Sequence, residues 1–215
     1  TGAEISCCGF YWEGTRSRIT TFGKQDVLLG TNDSCLKAFL EKKYFGFSVC
    51  NKLFKRTIVD RFDECLSIAE DAYFVFRAIL SCNKAVFGIE PKYHYNVRKG
   101  SATRSGFDSR SFGTLDFVDK VVRDVGSLRP KYLAEAISLR FEQYLATLNM
   151  MLYYRKNREY PHQYGVIVRC LLNTVKESYR KLPAIKLMAF ILFIINRRAY
   201  VYLVDKYYDR QLRGT

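Results

Sequence analysis

Two carboxylates stand side by side in Ser67-Ile68-Ala69-Glu70-Asp71-Ala72-Tyr73-Phe74, where an apolar helical spacing begins. Side chains of this type move protons, but structural roles account for both of them. Ser67 and Glu70 have the S-x-x-E spacing of a capping box, with Ser67 capping the third helical amide and Glu70 bonding back to the Ser67 amide. Asp71 falls one residue too late for that box, and its charge would suit the positive end of the helix dipole. On these residues alone the structural reading of Asp71 is the stronger. A second cluster, Arg98-Lys99-Gly100-Ser101-Ala102-Thr103-Arg104, combines cations, hydroxyls and a glycine-opened backbone. That chemistry suits a diphosphate, with Arg98 and Arg104 as its strongest ligands and Ser101 and Thr103 as hydroxyl donors. The alternative is a solvated turn before the next helix. Lys52 either reaches the same site or forms a surface salt bridge. The seven cysteines form neither a C-x-x-C pair nor a Cys/His cluster of zinc spacing, and read as reduced, half-buried residues of a cytosolic protein.

The elements that must hold these residues alternate in type through the first half. Ile5–Trp12 and Arg18–Phe22 read as strands, and a helix is expected near Ser34–Lys43. Residues 68–82 place Ala72, Phe76, Ile79 and Leu80 on one helical face. Ala85–Ile89 reads as a strand ended by Glu90-Pro91, and Tyr93, Tyr95 and Val97 alternate as a further short strand. After Gly106 the period becomes helical, with Phe112, Leu115, Val118, Val122 and Val125, then Ile137, Phe141, Tyr144, Leu148 and Met151. Ile167, Leu171, Thr174 and Val175 mark another helix, and Pro183 opens the next. The expected fold class is α+β, a mixed sheet with flanking helices over residues 1–107 followed by an all-helical region over residues 108–215.

The chain of 215 residues carries 35 Lys and Arg against 21 Asp and Glu, a net charge of +14. Residues 1–110 hold +5 of this and residues 111–215 hold +9, so the helical half is the expected docking surface for an anionic partner. Leu187–Ile195 is an apolar run of nine residues, about half of the ~20 needed to span a bilayer. Arg180, Lys181 and Lys186 flank it on one side and Arg197, Arg198 and Lys206 on the other. It either packs among the other helices, which is the first expectation, or lies in a membrane surface. No basic start followed by an apolar run opens the chain, and the missing initiator Met reads as an excised piece.

Three segments occur in order over residues 51–105: Asn51-Lys52-Leu53-Phe54-Lys55-Arg56, then Glu70-Asp71-Ala72-Tyr73-Phe74, then Tyr93-His94-Tyr95-Asn96-Val97-Arg98-Lys99-Gly100-Ser101-Ala102-Thr103-Arg104-Ser105. Together with Ile5–Gly14 they resemble the second half of the family 2 glycosyltransferases, inverting GT-A enzymes of bacterial surface polysaccharide synthesis. The resemblance covers roughly residues 3–106, and the tail matches only in character. It implies that Asp71 is the general base of transfer from a nucleotide-sugar donor to a saccharide or lipid-linked acceptor, with Glu70 beside it. His94 stands where such enzymes usually carry another aromatic, and reads as a packing or surface residue. The family's metal motif, D-x-D, occurs nowhere in the chain. The resemblance therefore places the Mg²⁺ or Mn²⁺ ligands and the donor site in a half that this sequence lacks, and expects no metal and little activity here. It also implies a cytoplasmic protein held peripherally at the inner membrane face, and a sheet edge exposed for homodimer formation. The rival reading is a basic helical scaffold or nucleic-acid-binding module, with 16 Tyr and 16 Phe as stacking platforms. Its weakness is that those aromatics fall mostly on apolar helical faces, and no nucleic acid is expected.

Overall fold

The computed structural model describes residues 2–13, 18–20, 24–44, 46–96 and 106–213. The chain is α+β, with a helical carboxyl-terminal region, and divides into two compact units, Thr1–Arg104 and Ser105–Thr215.

In the first unit the central strand is β1 (Ile5–Glu13). The long strand β5 (Ala85–Asn96) runs parallel along one side of it. On the other side two short antiparallel strands lie in tandem. β4 (Lys52–Phe54) pairs with Ile5–Cys7, and β2 (Arg18–Thr20) pairs with Phe10–Trp12. β3 (Val27–Leu29) is antiparallel to Ala85–Phe87 beyond β5. The outer strands β2, β3 and β4 are each three residues long, and β3 covers only Ala85–Phe87 of β5.

Pro91 was expected to end a strand, but β5 continues through it. The register slips from Cys7↔Phe87 to Gly9↔Pro91 and again to Phe10↔Tyr93, so β5 bulges there and Pro91 sits in the irregularity. A residue without an N–H is tolerated at such a point. Asp26 Oδ1 accepts the Ile89 amide at 2.9 Å inside the bulge.

Two helices supply the unit's core. α1 (Asn32–Leu40) starts two residues before its expected position, because Thr31 caps it reciprocally with Ser34. Lys42 and Tyr44 have positive φ, which keeps the helix from continuing. α2 (Glu70–Leu80) buries Ala72, Tyr73, Val75, Phe76, Ala78 and Ile79, while Leu80 is only half-buried. Phe39 of α1 meets Phe76 of α2 at 5.7 Å between ring centres. Asn32 Nδ2 reaches the carbonyls of Ile79, Leu80 and Cys82 at 2.9, 3.0 and 2.8 Å, and so satisfies acceptors left over at the end of α2.

The second unit contains α3 (Gly113–Leu128), α4 (Leu133–Tyr153), α5 (Pro161–Ser178), α6 (Ala184–Ile195) and α7 (Arg197–Arg213). α4 is the central element, burying Leu139, Phe141, Tyr144, Leu145, Leu148 and Met151. Val118, Val121 and Val125 of α3, Ile167 and Leu171 of α5, and Phe190 of α6 are equally enclosed. The expected face of α3 is slightly rotated, since Phe117 and Val121 are buried and Val122 is half-buried. α6 differs from its first expectation. Of its apolar residues only Phe190 and Phe193 are buried, Leu187, Ala189 and Leu192 are half-buried, and Ile185, Met188, Ile191, Ile194 and Ile195 are exposed. Among the described residues no helix is long and apolar enough to cross a membrane.

Candidate functional site

The first turn of α2 does not carry the expected capping box. Its N-cap is Ala69, with φ of 67°, and no side chain caps the helix. Ser67 is exposed and lies two residues outside. An alanine held in the left-handed region has its Cβ crowded against the backbone, at a cost of roughly 1–2 kcal/mol. Such conformations persist where the surroundings impose them, and they gather at functional sites. The strained residue here directly precedes Glu70 and Asp71.

Asp71 is half-buried, and its Oδ1 accepts the Ala72 amide at 2.7 Å. Burial raises its proton affinity above the usual carboxylate range. The Ala72 hydrogen bond opposes that shift, the neighbouring Glu70 charge adds to it, and the Lys52 ammonium opposes it. The helix start acts in the expected direction, but desolvation outweighs it.

Lys52 opens β4, opposite Cys7. It is not a surface residue, since it is 7% exposed while the next residue, Leu53, is 77% exposed. That inverts the usual alternation of a strand with one buried face. The inward ammonium is satisfied locally, with Nζ donating to the Ser48 carbonyl at 2.5 Å and to Asn51 Oδ1 at 3.0 Å. Asn51 is itself buried and donates through Nδ2 to the Cys8 carbonyl at 2.5 Å and to Cys7 Sγ at 3.2 Å. Ser48 Oγ lies 3.0 Å from Cys50 Sγ. Burial lowers the proton affinity of Lys52, and the Cys7, Cys50, Asp71 and Cys8 side chains oppose that shift. Burial pushes the Cys7 thiol up to about 11.

The fold thus brings Asp71 and Lys52 within mutual electrostatic range, and it surrounds the Lys52 ammonium with Cys7, Cys8, Cys50 and Asn51. Lys52 and Asn51 are bound to each other, and Asn51 is the member that sequence reasoning passed over as a polar anchor. Its signal was present in the Asn51-Lys52 pair at the head of a very short strand. Arg98, Ser101, Thr103 and Arg104 lie outside the described residues. His94 is exposed, stacks on Tyr11 with ring centres 4.7 Å apart and bonds through Nδ1 to Glu13 Oε1 at 2.7 Å. A packing role accounts for it.

A cavity of this unit, about 840 Å³, is an open groove on the sheet around the β5 bulge, bordered by Ser6, Cys8, Asp26, Gly88 and Lys92. Asp71 and Lys52 do not line it, although Cys7 and Cys8 do. Among the described residues no group of three or more His, Cys, Asp or Glu side chains is placed to hold a metal ion. No family model matches the chain, and no curated protein matches it.

Proposed function

We propose that this chain forms the acceptor side of an inverting glycosyltransferase, with Asp71 as the general base. The acceptor hydroxyl gives its proton to the Asp71 carboxylate as its oxygen attacks the anomeric carbon of a nucleotide sugar. The bond from that carbon to the diphosphate breaks, and the nucleoside diphosphate leaves with the bonding electrons. A sugar hydroxyl is a weak nucleophile at neutral pH, and a positioned base contributes about 10²–10⁴-fold. The observation that carries this reading is Asp71 itself, a part-buried carboxylate of raised proton affinity that directly follows a strained helix start and feels the charge of the buried Lys52 ammonium. A raised affinity strengthens the base, and the Lys52 ammonium opposes the rise. Lys52 is already committed to Ser48 and Asn51, so in this reading it tunes Asp71 and does not grip the diphosphate. That second task belongs to Arg98, Ser101, Thr103 and Arg104. The acceptor is a saccharide, free or lipid-linked.

The test joins this chain to the donor half that the resemblance places ahead of it, and measures nucleoside diphosphate release from a panel of nucleotide sugars. Asp71→Asn lowers turnover by at least about 10²-fold with donor binding nearly intact. Unchanged turnover removes Asp71 from the base role. Failure to transfer sugar to any hydroxyl acceptor removes the reading.

A further inference from the structure

The outward face of α6 is the least expected surface of the molecule. Phe190 and Phe193 point into the second unit, and the opposite side of the helix carries Ile185, Met188, Ile191 and Ile195. These recur at helical spacing on one arc, and three of them, Ile185, Met188 and Ile195, are 75%, 66% and 76% exposed. A helix on the surface of a globular protein normally turns charged and polar residues outward. Here the arc of Ile185, Met188, Ile191 and Ile195 holds no charge. The only cation of the helix, Lys186, is exposed in its first turn and off that arc, and the helix contains no acidic residue.

α7 continues the surface with a different composition. Its exposed side presents Arg198, Tyr202, Leu203, Lys206, Tyr207 and Arg210. The Lys206 ammonium lies over the Tyr202 ring, 5.5 Å from its centre. The two acidic residues of α7 are tied to the end of α4. Arg155 bonds both Asp205 oxygens, at 3.0 and 2.6 Å, and Tyr153 Oη donates to Asp209 at 3.0 Å. The outward side is thus apolar on one helix and aromatic and cationic on the next. That is the composition of a segment lying at a bilayer interface, where apolar side chains enter the acyl boundary while Tyr, Lys and Arg stay among headgroups. At twelve residues, α6 is about 18 Å long, too short to cross the ~30 Å hydrocarbon layer.

We propose that α6 and α7 form an in-plane docking surface for an anionic lipid bilayer, with the Ile185–Met188–Ile191–Ile195 arc inserted and the cations of α7 set against acidic headgroups. Charge complementarity selects this occupant. A second copy of the chain would bring Arg198, Lys206 and Arg210 against their own kind, whereas phosphatidylglycerol supplies the missing negative charge.

The test is co-sedimentation of the whole chain with vesicles of phosphatidylglycerol and phosphatidylcholine, against vesicles of phosphatidylcholine alone. The chain pellets with the anionic vesicles, and high salt weakens that binding because the headgroup attraction is screened. M188E/I195E changes only exposed positions, and it weakens binding at least about tenfold, as charges placed at the acyl boundary require. R198E/K206E weakens it by a similar factor of about ten and removes the preference for anionic lipid. Hydrogen exchange on the unaltered chain gives an independent reading, with α6 amides gaining protection when anionic vesicles are added. Three results would overturn the proposal: a chain that stays in the supernatant at low salt, full binding by M188E/I195E, or a dimer by light scattering that M188E/I195E dissolves while vesicles leave α6 unprotected.

Discussion

Asp71→Asn should make the folded protein more stable at neutral pH. The substitution keeps the shape, and the amide oxygen can still accept the Ala72 N–H that Asp71 Oδ1 holds at 2.7 Å. It removes a carboxylate whose burial and repulsion by Glu70 together outweigh the Ala72 hydrogen bond and the attraction of Lys52, which is what the upward shift of its proton affinity means. The variant loses a favourable charge in the first turn, an effect of about 0.3–1 kcal/mol. Burial opposes that loss, and because the group is only part-buried, water screens the balance. The net gain is held to about 0.5–1 kcal/mol. The sign with pH follows from the direction of the shift. A carboxyl whose folded proton affinity is raised contributes stability that is fully present below the ordinary carboxylate range and is lost as pH rises through its folded value. The gap between Asn and Asp therefore opens with rising pH above that range and closes in acid. Urea denaturation of both proteins across that span measures it. A variant less stable than the parent at neutral pH, or a gap that widens in acid, would refute the reasoning.

Ala69→Gly relieves the left-handed N-cap, and against the flexibility glycine adds to the unfolded chain a stabilisation of up to about 1 kcal/mol remains, read as a higher urea midpoint. Asn32→Ala strips the donor from three carbonyls at the end of α2, and lowers stability by about 1–3 kcal/mol in the same assay. Cys7 is buried with its thiol pushed up to about 11, whereas Cys65 is exposed. Native-state alkylation at neutral pH therefore modifies Cys65 well before Cys7, and peptide mass mapping shows the order.

The helical half was legible because its signal is redundant. Leu115, Val118 and Val125, then Phe141, Tyr144, Leu148 and Met151, repeat at helical spacing over many turns, and all are buried. A one-residue error in phase, such as Val122 for Val121, does not destroy that pattern. The sheet was less legible because its pairing is non-local and its outer strands are three residues long, too short for alternation to register. β5 was read as two strands because Pro91 is a reliable local stop. Only the register against Gly9 shows how the chain carries it. α6 was misjudged for a related reason. A run apolar on every side gives no hint of which arc meets the core, and composition alone favours full burial.

The carboxylate–ammonium pair shows where sequence reading reaches its limit. Glu70 and Asp71 stood out, since adjacent carboxylates at a helix start are visible in any sequence. Lys52 was legible only as an alternative between reaching the site and a surface salt bridge, because its pattern points outward. In Lys52-Leu53 a one-sided strand would turn the leucine inward and the lysine out, and the structure does the reverse. Local propensity cannot produce that inversion, which depends on the ladder to Cys7 and on two oxygen acceptors waiting at Ser48 and Asn51. Burying an ammonium while leaving a leucine in solvent runs against the hydrophobic effect at both positions. Folding tolerates such reversals chiefly where a site needs the charge. Ala69, strained just ahead of Asp71, is a second local violation a short way along the chain. Asp71 directly follows the strain at Ala69 and feels the charge of Lys52, and that coincidence, more than either motif taken alone, singles out Asp71 as the residue to test first.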